Sequence, residues 1–131
     1  MKALTIKQPW AHLIITGQKD IENRTWTTSY RGPVLIHAGK ALDEIAYDVM
    51  RSEEDVDLPH DRYLDRGGFV GVAWLADCVT RSDSDWFEGP YGFVLTGVRR
   101  CQFYPCKGAL GLWNVPDDVA RAIQVVKVRR V

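Results

Sequence analysis

Gly17-Gln18-Lys19-Asp20-Ile21-Glu22-Asn23-Arg24 places a lysine, a glutamate and an arginine within eight residues, just after the apolar run Trp10–Thr16. The pattern reads G-x-K-x-x-E-x-R. Side chains on a strand alternate between faces, so Glu22 and Arg24 share one face. Lys19 is three residues from Glu22 and would point the other way in a regular strand. For all three to converge, Lys19 has to sit at a helix–strand junction or beside a bulge. Gly17 makes a junction the natural choice. An ion pair to Glu22 keeps Lys19 protonated, which suits binding. A lysine acting as a base needs a depressed pKa, from burial or from a second cation such as Arg24. The spacing alone leaves both open.

Outward from this stretch, Lys2–Ile6 alternates as a first strand does. Pro9 suits the first turn of a short helix over Trp10–Thr16, and Gly17 suits the position just past its end. Lys19–Trp26 reads as a strand and Val34–Ala38 as a short buried one. Leu42–Arg51 has helical spacing, whereas 52–66 is acidic and aperiodic and reads as an exposed loop. Gly68–Val79 is a long strand, in which Trp74 is expected to be core. Ser82–Pro90 is a polar loop carrying Trp86. Tyr91–Val98 and Arg100–Tyr104 are further strands, and a short helix follows Pro116. Residues 124–131 alternate valine with basic residues, as an edge strand does. Six or seven short strands with two or three helices, and no repeating strand–helix unit, predict a curled, largely antiparallel α+β sheet with helices at its ends.

The chain has 131 residues, 46% hydrophobic and 26% charged. This fits one globular domain, 1–131, with its own core. No apolar run reaches the ~20 residues of a membrane helix, and the N-terminus does not read as a signal peptide. Cys78, Cys101 and Cys106 are odd in number, which points to reduced thiols in a cytoplasmic protein. No metal-ligand spacing is present, so neither metal nor cofactor is expected. The net charge of zero argues against a wholly basic nucleic-acid binder. The charge is nevertheless uneven: residues 1–40 carry six basic and two acidic side chains, 41–65 two and nine, and 96–131 seven and two. Basic ends brought together would make a positive face, and the acidic middle could meet a basic protein partner.

With Gln8-Pro9-Trp10 upstream and Tyr30-Arg31-Gly32-Pro33 downstream, the G-x-K-x-x-E-x-R stretch resembles the ASCH family, relatives of the PUA-like RNA-binding barrels. The likeness is strongest over roughly residues 3–40. It implies a small PUA-like β-barrel in which Lys19, Glu22 and Arg24 line a cleft between barrel and helix. Aromatic rings beside cations are what single-stranded nucleic acid requires, since rings stack on bases and cations hold phosphates. The expected ligand contacts are therefore Lys7, Gln8, Trp10, Lys19, Glu22, Arg24, Trp26, Arg31, Lys40 and Trp86, and the expected ligand is single-stranded RNA or a nucleotide. Some ASCH-like proteins are amidohydrolases that deacylate N4-acetylated cytosine derivatives with a lysine, a threonine and a distant glutamate. Here Lys19 matches the lysine, but Glu22 stands at the threonine position and cannot be the hydroxyl nucleophile. Lys19 and Glu22 are the catalytic candidates under that alternative, with Glu88 a candidate for the distant glutamate. Weak cleavage of RNA is a further alternative. Larger proteins also carry such domains as coactivator appendages.

Overall fold

A computed structural model describes residues 1–125. The elements in chain order are β1 (Lys2–Gln8), α1 (Trp10–Ile15), β2 (Ile21–Arg24), β3 (Gly32–Leu42), α2 (Glu44–Ser52), a 3-10 turn (Asp61–Tyr63), β4 (Gly68–Val79), β5 (Tyr91–Pro105), β6 (Leu112–Asn114) and α3 (Asp117–Ala122). The strands form one six-stranded sheet in the order β2-β5-β4-β3-β1-β6. Among the described residues only the β1–β3 pair is parallel. This is the small α+β, mostly antiparallel architecture expected. Among the described residues no pairing joins β2 to β6, so the sheet is open and barrel-like only in a loose sense.

Two apolar layers flank the sheet. On one side Ala11, Ile14 and Ile15 of α1 pack on Leu4, Ile6, Val34, Ile36, Val70, Leu75, Phe93 and Leu95. On the other side Val119, Ala120 and Ile123, in and just after α3, lie against Ala3, Leu35, Phe69, Cys101 and Val115. Burial in the second layer pushes the Cys101 thiol up to about 11, so it stays protonated. His37 is buried among Phe69 and Trp113, with Nε2 2.6 Å from the Cys106 carbonyl.

Several local expectations change. Tyr91–Val98 and Arg100–Tyr104 are one continuous strand, β5. The acidic 52–66 segment is not merely solvated: Leu58 and Leu64 are buried against Leu13 and Tyr47. Gln18 also exchanges two hydrogen bonds with Asp57, Nε2 to the carbonyl at 2.8 Å and the amide to Oε1 at 2.7 Å. Trp74 is not core but 52% exposed. Irregularities in the β4–β5 register at Phe69/Gly71, Val72/Trp74 and Leu75/Asp77 break the simple alternation that would have turned it inward. Trp74→Thr is accordingly expected to change the unfolding free energy by less than about 1 kcal/mol, in contrast to a core tryptophan. Urea denaturation checks this, and a loss of about 3 kcal/mol or more would place the ring in the core after all. Of the edge strand expected at 124–131, residues 126–131 lie outside the described residues. Val125 makes a single antiparallel bridge to Cys101.

Candidate nucleic-acid cleft

The junction between α1 and β2 builds the site. Helix α1 is six residues long and is held by its buried face, Ala11, Leu13, Ile14 and Ile15. It stops at Gly17, whose φ of +80° is open to glycine at little cost. The next two amides, of Gln18 and Lys19, both donate to the Leu13 carbonyl at 2.9 Å. These two hydrogen bonds to one acceptor turn the chain sharply and deliver the Lys19 side chain inward, outside any strand. Strand β2 begins only at Ile21, so Lys19 sits at the junction its spacing requires.

Lys19 and Glu22 are 4% and 8% exposed. Lys19 Nζ donates to the Ile21 carbonyl and lies 3.4 Å from Glu22 Oε1. Arg24 Nη2 donates to Glu22 Oε2 at 3.0 Å and to the Thr5 carbonyl of β1 at 2.8 Å. One carboxylate thus bridges two cations, and the arginine ties β2 to β1 across the cleft floor. Burial pushes the Lys19 pKa below its ordinary value, and the Glu22 carboxylate pulls it back only in part. Lys19 Nζ also stands 5.6 Å from the centroid of the Trp10 ring.

Above this floor opens a cleft of about 650 Å³. Three indoles line it, from separate parts of the chain: Trp10 on α1, Trp26 just after β2, and Trp86 in the 82–90 loop. Trp10 and Trp86 meet edge to face at 6.5 Å. Trp26 stands edge-on to Phe93 of β5 at 5.1 Å. Lys7 is also on the wall.

The remaining expected contacts lie elsewhere. Gln8 is 1% exposed and braces the fold: its Nε2 donates to the Asp65 carbonyl at 2.7 Å, and its Oε1 accepts from the His12 amide at 2.9 Å. Arg31 donates to the Thr28 and Tyr30 carbonyls and pairs with Asp77 at 3.5 Å. Lys40 packs beside Gly67, off the cleft. Asn23, Asp43, Met50 and Asp85 join the lining without having been singled out in the sequence, and Glu88 stands there too. Asn23 lies inside the motif, but its three hydrogen-bond partners are 63 to 66 residues further on. No local pattern announces them. The lining carries Lys7, Lys19 and Arg24 against Glu22, Asp43, Asp85 and Glu88, so it is not a positive trough. Among the described residues no three His, Cys, Asp or Glu side chains gather as metal ligands, and no helix is long and apolar enough to cross a membrane.

The ASCH domain family model matches residues 4–131. Activating signal cointegrator 1 of Homo sapiens is 26% identical over 88% of this chain, and its Mus musculus counterpart is 34% identical over the same share. The matched region is 22% of each of those proteins, so this chain spans about a fifth of the length of the curated relatives it matches.

Proposed function

Since the chain belongs to the ASCH domain family, we propose that it is a binding module for single-stranded RNA, or a nucleotide within it, that takes a base into the cleft over Lys19, Glu22 and Arg24. The observation that carries this reading is the convergence of Trp10, Trp26 and Trp86 on one cleft whose floor is a Lys–Glu–Arg cluster, with Lys19 and Glu22 buried and Arg24 half-buried. The indoles supply faces for stacking. Glu22 retains lone pairs for an exocyclic amine, and Arg24 retains N–H groups for a ring nitrogen or carbonyl. Because the lining mixes both signs, stacking rather than phosphate contact dominates affinity. Binding to short single-stranded RNA should fall with salt along a shallow log–log slope, about −1 to −2, as one to three neutralised phosphates require. Trp86→Ala should weaken it by about 1–3 kcal/mol, as loss of one base–aromatic stack does. Titration calorimetry at several salt concentrations measures both. Absence of binding to any oligonucleotide or nucleoside would overturn the proposal.

A second reading is favoured by one observation. Burial holds Lys19 below its ordinary pKa, the condition a lysine base needs, and Glu88 stands on the same cleft. An amidohydrolase acting on N4-acylated cytosine nucleosides, or a weak ribonuclease, would use that amine. Glu22 at the threonine position removes the hydroxyl nucleophile of the ASCH-like deacylases, so attack would fall to water. Chromatographic detection of cytidine formed from N4-acetylcytidine, abolished by Lys19→Ala, decides for it. Intact substrate after prolonged incubation decides against it.

A further inference from the structure

We propose that Asn23 is a positioning residue that fixes the 82–90 loop as a rigid wall of the cleft and thereby presents Trp86 to the ligand. The proposal rests on the reading of the cleft as a base-binding site. The Asn23 carboxamide makes three hydrogen bonds to the backbone of this loop. Its Nδ2 donates to the Trp86 carbonyl at 2.9 Å, and its Oδ1 accepts from the Glu88 and Gly89 amides at 2.8 and 3.0 Å. Three of the four hydrogen-bonding sites of the amide are thereby used on one short stretch of main chain. Only an amide meets the demand, because the loop offers an acceptor and two donors together.

Two further contacts hold the same loop. Ser84 Oγ donates to Asp20 Oδ1 at 2.6 Å, and the Trp86 amide donates back to Ser84 Oγ at 3.2 Å. The Phe87 ring packs where a side chain at position 92 would stand: a Cβ on Gly92 would come within 2.8 Å of it. The polar residues of the motif therefore divide the work. Lys19, Glu22 and Arg24 make the floor, while Asp20 and Asn23 fasten the wall. A loop of polar residues that would otherwise sample many conformations is preorganised, which lowers the ordering cost of closing an indole over a base.

The test compares wild type, Asn23→Ala, Asn23→Asp, Trp86→Ala and the Asn23→Ala/Trp86→Ala double variant. Amide hydrogen exchange reads the wall directly, and affinity for a short mixed-sequence single-stranded RNA reads its use. In Asn23→Ala the Glu88 and Gly89 amides should exchange about tenfold faster or more, while the Phe93 amide within β5 is unchanged. Asn23→Asp keeps the acceptor but loses the donor to Trp86, so those two amides should stay protected while the Trp86 indole resonance shifts. RNA affinity of Asn23→Ala should fall about as far as that of Trp86→Ala, with no further loss in the double variant. Unchanged exchange at Glu88 and Gly89, or losses that add in the double variant, would overturn the proposal. If wild type binds no RNA, the base-binding reading falls. The clamp then stands or falls on the exchange rates and the indole shift alone.

Discussion

Replacing Glu22 with alanine should destabilise the fold by up to about 3–5 kcal/mol at neutral pH, the usual cost of leaving a buried charge without its partner. Among the described residues the carboxylate is the sole counter-ion that Lys19 touches, and it also accepts from Arg24. The loss is limited because Lys19 can shed its proton, and this gives the variant a pH signature. Unfolded, Lys19 titrates at its ordinary value of 10.5, and folded it titrates lower because it is buried. Between those two values the unfolded chain holds more protons, so stability increases with pH across that window. Removing the Glu22 carboxylate lowers the folded value further and extends the window downward. The deficit of Glu22→Ala relative to wild type should therefore shrink as pH rises towards the ordinary lysine value. A Lys19→Met/Glu22→Gln double variant should lose that pH dependence. Urea unfolding at a series of pH values supplies the comparison, and a deficit that stays constant with pH would show that Lys19 carries no buried charge.

Phe93→Ala should cost about 3–5 kcal/mol, the range for a fully buried phenylalanine whose cavity cannot collapse. Phe93 is 0% exposed, packs in the layer beneath α1 and lies opposite Glu22 in the β2–β5 register. Its ring is also the surface on which Trp26 stands edge-on. Truncation therefore removes core volume and the backing of one cleft indole together, so ligand affinity should fall alongside stability. Phe93→Leu keeps most of the volume and should cost less than about 1.5 kcal/mol, while still loosening Trp26. Chemical denaturation gives the first quantity and calorimetry the second. A penalty below about 1 kcal/mol for the alanine variant would mean that the neighbouring strands close over the gap.

What could be read from the sequence was whatever its own neighbourhood determines. Lys19, Glu22 and Arg24 can converge only if Lys19 lies outside the strand, and the positive φ of Gly17 puts it there. Strand β4 was legible as a strand because of its Val, Trp and Phe content. The outward face of Trp74 was not, since bulges are properties of the pairing with β5 and not of either strand alone. Gln8 and Trp10 sit two residues apart in one signature, yet one braces Asp65 and the other lines the cleft. A local pattern marks both as special without separating support from contact. Arg31 and Lys40 are basic and near in sequence, but their partners and neighbours, Asp77 and Gly67, hold them off the cleft.

Strand β2, which carries two of the three floor residues, pairs with β5 at residues 91–94 and with no other strand among those described. During synthesis the charged motif leaves the ribosome long before its partner strand does. Its side chains can meet water but not one another's final surroundings until some seventy residues have followed, roughly four to fifteen seconds at ordinary elongation rates. The cleft is thus completed only once β5 has emerged, and any fragment ending between Arg24 and Tyr91 displays the complete G-x-K-x-x-E-x-R signature with neither β5 nor the completed wall to make a site of it.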